Sequence, residues 1–333
     1  KGFLNDKLML SAGLRTDANN YSKEMRNLLK QLSPRISASY ALLPGVNANF
    51  NTGIYYQLPP YTALGFQQNG QFVNKFNQLT YIRCSHFVAG LEWDTRQNSR
   101  ITLEGFYKNY SHYPFSVNDS ISLANLGADF GVVGDEEVTS TSKGHTYGAE
   151  LLLQQKLYKG FYGIVAYTLS WSRFADKNGN FIPSSWDTRH IVNLTGGKKF
   201  RRNWEIGMRW RFSTGIPFTP VDVANSSLIQ VWDITGFGLP DYSRLNTERT
   251  NLFHNLDVRV DKKWFFKRWN LNLFVDIQNI YNFENEGPPF LDVVRDADGN
   301  PIPDANNPGS YQTYLLQNVD GNLLPNIGAV VEF

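Results

Sequence analysis

The 333-residue chain carries 32 Lys and Arg against 30 Asp and Glu, a net charge of +2, which excludes a nucleic-acid footprint or a polybasic membrane switch. Its single cysteine, Cys84, excludes an internal disulfide and is too few for a structural zinc site. Charged residues make up only 19%, against about 25% in soluble domains, aromatic residues reach 14%, and no stretch supplies the ~18 consecutive apolar residues of a membrane-crossing helix.

The chain opens at Lys1 almost directly on a strand pattern, without a signal-peptide-like stretch, so it is expected to be processed or to be a piece of a longer protein. Period-two alternation then predicts about twelve strands, at 5–17, 33–42, 45–58, 79–94, 98–111, 144–157, 160–174, 187–199, 203–217, 253–265, 269–282 and 323–333. Helical spacing is nowhere sustained, and the segment from Lys23 to Leu32 is read as a loop turn. The clearest alternation is Trp204, Ile206, Met208, Trp210 and Phe212 against Glu205, Gly207, Arg209 and Arg211. In the strand at 269–282, Phe274 is the one apolar residue in the polar register.

These segments exceed the ~5–6 residues of an ordinary strand. About thirteen residues at ~3.3 Å each, tilted ~40°, cover roughly 30 Å, the thickness of a bilayer's hydrocarbon core. The links alternate. Tight ones stand at 43–45, 95–98, 159–160, 200–202 and 266–268, and long ones at 18–32, 59–78, 112–143, 175–186, 218–252 and 283–322. That alternation belongs to an antiparallel transmembrane β-barrel, with short periplasmic turns and long extracellular loops. Both chain ends are then expected on the short-turn side. Tyr158, Phe161, Tyr162, Trp204, Trp264, Phe265, Phe266 and Trp269 crowd the tight turns, as an interfacial aromatic girdle does.

If the apolar set faces lipid, the alternate set lines the interior. It comprises Glu92, Asp94, Glu104, Lys108, Glu150, Asp187, Arg189, Glu205, Arg209, Arg211, Asp257, Arg259 and Asp261. Opposite charges on neighbouring strands can pair laterally and stiffen the wall, or contact a solute.

Catalytic patterns are missing. The five histidines are scattered, no P-loop or Gly-x-Ser-x-Gly occurs, and Ser140 to Lys143 matches Ser-x-x-Lys inside a Ser/Thr-rich loop. Asp296-Ala-Asp298-Gly-Asn300 departs from a calcium loop, with its glycine too early and Asn307 in place of the bidentate Glu. No enzyme, metal site or cofactor is read here.

Several segments resemble TonB-dependent outer-membrane receptors of the Bacteroidetes type, in the C-terminal part of the barrel. They are Gly53-Ile-Tyr-Tyr-Gln-Leu-Pro-Pro60, His86-Phe-Val-Ala-Gly-Leu-Glu-Trp93, Leu103-Glu-Gly-Phe-Tyr-Lys-Asn109 and Trp186-Asp-Thr-Arg-His-Ile-Val-Asn-Leu194. Further on stand Arg211-Phe-Ser-Thr-Gly-Ile-Pro-Phe-Thr-Pro220, Leu256-Asp-Val-Arg-Val-Asp-Lys-Lys-Trp264, Phe274-Val-Asp-Ile-Gln-Asn-Ile-Tyr-Asn282 and the terminal Asn326-Ile-Gly-Ala-Val-Val-Glu-Phe333. The resemblance implies a 22-stranded barrel around an N-terminal plug, of which this chain would hold the last twelve strands.

It implies active uptake of a scarce solute (a siderophore, glycan, peptide or similar), energised through TonB. The partners would be outer-membrane lipid, the plug and remaining strands, TonB through the part not present here, and the solute, with no nucleic acid. The ending departs from the glycan-importing SusC-like group, which weighs against a SusD-type surface lipoprotein and leaves it open. Candidate solute contacts in the long loops are Tyr61, Phe66, Phe72, Tyr113, Phe130, Trp232, Asp233, Phe237, Tyr242, Arg244, Phe290, Arg295 and Tyr311, since rings suit sugars or macrocycles and arginines suit anionic chelates. Two alternatives stay open: a complete twelve-stranded barrel acting as a passive channel or outer-membrane hydrolase, and a soluble all-β binding module.

Overall fold

A computed structural model of the protein describes residues 2–95, 98–127 and 132–333. One antiparallel sheet of 14 strands dominates it. Along that sheet, strands lie side by side in chain order: β1 (Gly2–Asn5), β2 (Leu8–Arg15), β3 (Ser33–Leu43), β4 (Val46–Gln57), β5 (Ile82–Asp94), β6 (Ser99–Ser116), β7 (Val138–Tyr158), β8 (Phe161–Ala175), β9 (His190–Lys199), β10 (Trp204–Ser213), β11 (Phe253–Phe265), β12 (Asn270–Gln278) and β13 (Leu324–Glu332). The remaining strand, Phe181–Pro183, pairs beside the loop end of β8. Among the described residues β1 and β13 are the open edges of the sheet.

The hairpins close where the backbone is free to turn. At Lys159-Gly160 both residues have positive φ (48° and 85°), the two-residue turn whose twist matches paired strands. A Cβ on Gly160 would also lie 2.7 Å from the Lys199 carbonyl oxygen. Tight and long links alternate as expected, and β1 with its tight turn to β2 adds one strand ahead of the predicted set. The first predicted strand, 5–17, is therefore a hairpin arm of its own, Leu8–Arg15.

The sheet also rises higher than predicted at β6 and β7, where pairing continues past a register shift to Tyr113↔Ser142 and Ser116↔Val138. His112 sits at positive φ in that shift and Pro114 follows, so the alternation breaks while the strand goes on.

The two faces differ in chemistry. Leu91 and Trp93 on β5, Leu103 on β6, Ile206 and Met208 on β10, Leu273 and Val275 on β12 and Ile327 on β13 form an exposed apolar band, with Ile327 at 84% exposure. The hydrophobic clusters of buried residues lie instead among the long loops. Three aromatic rings on the other face share a specific reason. Phe274 lies directly across from Gly328, where a Cβ would come within 2.3 Å of its ring. Phe174 covers Gly144 and Phe106 covers Gly148 in the same way. A ring laid over a cross-strand glycine shields bare backbone and pins register.

Replacing Gly328 by Val is expected to displace Phe274 and cost about 1–3 kcal/mol, read as a lower urea midpoint of the refolded protein with the slope unchanged. An unshifted midpoint would mean that Phe274 packs elsewhere.

Candidate solute-binding face and loop crown

Cross-strand register puts Glu92, Asp94, Glu104, Lys108, Glu150, Glu205, Arg209, Arg211, Asp257, Arg259 and Asp261 on one face of the sheet. Arg209 donates through Nε and Nη2 to Asp257 Oδ2 at 2.9 and 2.7 Å. Arg211 donates to Asn255 Oδ1 at 3.1 Å. Arg259 grips Asp261 at 2.8 and 2.9 Å while its guanidinium lies 3.7 Å over Phe274. Tyr162 donates to Glu205 at 2.6 Å, and Arg100 pairs with Glu92. Glu104 and Glu150 stand directly opposite each other.

Two residues expected in this set are placed differently. Asp187, 1% exposed, accepts from the Ser172 N–H at 2.6 Å and pairs with Arg249 at 2.5 Å. Arg189 pairs with Asp187 at 3.3 Å and lies 5.2 Å over Trp171, whose neighbours Ser170 and Ser172 point to the polar face. Both follow from position: they precede β9, where strand alternation no longer applies.

The long loops are stitched into one crown by buried polar side chains. Ser22 Oγ donates to the Leu79 carbonyl at 2.9 Å, joining loops 16–32 and 58–81. Asn74, fully buried, donates to the Ala63 and Glu136 carbonyls at 2.7 and 2.9 Å and accepts from the Val138 N–H at 2.8 Å. Asn246 donates to the Asn125 and Pro183 carbonyls at 2.8 Å each, tying three loops at one point. Arg249 adds bonds to the Asp187 and Gly215 carbonyls at 2.7 and 3.0 Å. Trp232, Leu291 and Val293 make an apolar knot, with Tyr311 and Val221 against it, between loops 214–252 and 279–323.

The predicted loop contacts fall into distinct places. Trp232 is 5% exposed and Tyr113 packs against Phe174 and Trp186 at 4.8 and 6.4 Å, so both fill the crown's interior. Tyr113 belongs to β6 rather than to a loop. Asp233 accepts from Tyr311 at 3.0 Å, which raises the tyrosine's pKa. Arg244 pairs with Glu248, Arg295 lies 3.8 Å from Asp292, and Tyr242 donates to Asp119 at 3.5 Å. Tyr61, Phe72, Phe237 and Phe290 are exposed, and Phe66 is half-buried. Phe130 lies outside the described residues.

Sequence reasoning passed over two clefts. One, of about 550 Å³, lies between loops 16–32 and 58–81 and is lined by Tyr21, Lys23, Arg26, Phe72, Lys75 and Phe76. The other, about 450 Å³, lies on the polar face among Ser11, Ser37, Ser39, Asn49, Asn51, Glu92, Arg100 and Glu104. The alternation of uncharged polar residues, Ser37 and Ser39 on β3 and Asn47, Asn49 and Asn51 on β4, is the local signal for the second cleft.

Asp296 closes a turn. Its Oδ1 accepts from the Asn300 and Asp298 N–H groups at 2.8 and 3.0 Å, and these bonds, Asn300's first, hold its pKa below the usual carboxylate value. Among the described residues no group of three His, Cys, Asp or Glu could hold a metal ion.

The family description "TonB dependent receptor-like, beta-barrel" matches residues 3–285. The chain belongs to this family. Solved structures of similar fold include the ferric-catecholate import receptor Fiu from E. coli K12, at 11% identity and a TM-score of 0.57, covering 98% of this chain and 43% of that one. The ferric yersiniabactin uptake receptor FyuA from Yersinia pestis is similar at 10% identity and a TM-score of 0.57, covering 99% and 44%. The ferripyoverdine receptor of the Pseudomonas aeruginosa outer membrane is similar at 12% identity and a TM-score of 0.55, covering 90% and 33%. The chain thus spans less than half the length of these proteins. Comparison with curated protein sequences gives no significant match. Membership places the chain in the barrel of an outer-membrane protein, and the exposed apolar band is its lipid-facing surface.

Two outcomes follow. A Lys at Val258 or Leu273, on the apolar face, should cost about 2–4 kcal/mol if it lies near the bilayer midplane, and one at Gln278, on the polar face, far less, as seen in folded yield in lipid vesicles; equal tolerance would reject the face assignment. Because the folded pKa of Asp296 is depressed, its stabilisation is present above the usual carboxylate pKa and is lost as pH falls through the lower folded value. The 296–300 turn should then become protease-sensitive at acid pH, while Asp296→Asn, which keeps the acceptor oxygen, should show no such pH dependence.

Proposed function

We propose that the chain is the C-terminal part of the barrel of a Bacteroidetes-type receptor that takes up a scarce solute actively across the outer membrane, energised through TonB. The observation that carries this reading is a family-matched sheet, open at both edges, in a chain less than half the length of the solved relatives. The open edges of β1 and β13 would pair with the remaining barrel strands, and the polar face would line the interior around a plug. Tight turns would face the periplasm and the crown the exterior, where the clefts and exposed rings would catch solute. The similar structures named above include ferric-catecholate and ferric yersiniabactin uptake receptors, so a metal chelate is the first solute class to try.

The deciding experiment is the intact mass of the native species extracted with detergent from outer membranes. A mass roughly double that of this chain or more supports the reading. A membrane-embedded species of 38.0 kDa with no co-purifying chain would overturn it in favour of a self-contained barrel.

A further inference from the structure

Most guanidinium groups on the polar face have a carboxylate in reach, as in Arg209–Asp257, Arg259–Asp261 and Arg100–Glu92. One row breaks that pattern. Reading sideways through the ladder, Arg35 pairs with Gly53, Gly53 with His86, His86 with Lys108 and Lys108 with Thr146. Two cations, Arg35 and Lys108, thus stand at one height on β3 and β6, with the His86 ring between them on β5, directly opposite Lys108.

The Arg35 stem passes over Gly53, where a Cβ would come within 3.0 Å of it. Its guanidinium reaches the Tyr55 ring at 4.3 Å, and that ring lies 4.3 Å from the His86 imidazole. Arg35 Nε is buried and has no hydrogen-bond acceptor among the described residues. On the far side Lys108 lies 5.2 Å over Phe106.

Among the described residues no carboxylate offsets this charge nearby. The adjacent polar-face rows, through Tyr55 and Tyr110 towards the crown and through Asn51 and Phe106 away from it, contain none. The first acids along the strands, Glu104 and its opposite Glu150, are two rows further, about 13 Å at strand rise, which exceeds the screening length of physiological salt. Asp17, at the top of the face, is held by Arg15 at 2.6 Å.

We propose that Arg35, His86 and Lys108 form an anion-binding station on the polar face beneath the crown, taking a small solute whose carboxylate-, sulfonate- or phosphate-type charge is carried on a flat ring-bearing body. Arg35 and Lys108 supply charge-assisted donors, the unfilled Arg35 Nε–H among them, and the His86 ring adds a polar contact between them. Tyr55 and Phe106, already stacked against cations, offer faces to the body of the solute. This rests on the polar face being a water-accessible solute path.

The test uses the detergent-extracted native receptor and pyranine, a trisulfonated pyrene dye, followed by fluorescence anisotropy. Saturable, salt-sensitive binding is expected, with no binding of the cationic dye ethidium. Arg35→Gln or Lys108→Met should weaken it about tenfold, the loss of one charge-assisted contact. Thr146→Lys, which extends the row, should tighten it, a gain that misfolding cannot produce. Lys177→Gln, in an exposed loop, should change nothing.

Absence of dye binding, or equal binding by the row variants, overturns the station. Tighter, equally variant-sensitive binding of an oligo-glutamate peptide would assign the row to an acidic polypeptide segment and overturn the small-solute assignment. The underlying path is tested separately in a Cys84→Ser background. A membrane-impermeant maleimide should label Asn51→Cys and spare Phe50→Cys on the opposite face. Equal labelling would reject the path, while the anisotropy titration would still decide whether the row itself binds anions.

Discussion

The lateral antiparallel ladder from β1 to β13 is the constraint on which the other features depend. In hydrocarbon there is no water to satisfy backbone amides, so a strand crosses it only when both neighbours take up its N–H and C=O groups. Strand length, turn placement and alternation of side chains follow from that requirement. So does the inversion of the usual core, with apolar side chains such as Ile206, Leu273 and Ile327 pointing outward. The open edges of β1 and β13 leave the ladder unfinished among the described residues.

Freed from making a hydrophobic core, the polar face is organised by charge and by backbone cover. Between β10 and β12, acids and bases alternate across strands and cancel one another at hydrogen-bond distance. Three phenylalanine rings on the wall each lie over a glycine: Phe274 on Gly328, Phe174 on Gly144, Phe106 on Gly148. Against that background the row of Arg35, His86 and Lys108 is a basic stretch with no carboxylate in its own or the adjacent rows among the described residues.

The crown obeys a different rule. Its segments have little regular pairing of their own, so their buried main-chain groups need side-chain partners. Asn74, Asn125 and Asn246 supply them, each bridging loops that are far apart in sequence. The Asp187–Arg249 pair does the same with charge, and its desolvation is offset by the Ser172 N–H and two carbonyl bonds. The long loops are accordingly a packed body that holds clefts of set shape above the polar face.

The sequence by itself determined the membrane-crossing sheet, its alternation of tight and long links, and the face on which Arg209, Asp257 or Arg259 lies, because a period of two and turn chemistry at residues such as Lys159-Gly160 are local signals. It also carried the family. Only the tertiary structure decided that Trp232 and Tyr113 are packing residues, that Asp187 and Arg189 leave the polar face, that β6 and β7 continue past His112, and that Lys23, Arg26 and Lys75 meet in one cleft. Those outcomes depend on contacts between residues tens of positions apart, such as Asn74 with Glu136 or Asn246 with Asn125. No local periodicity encodes such contacts, since they form only once neighbouring strands have brought the loop ends to one rim.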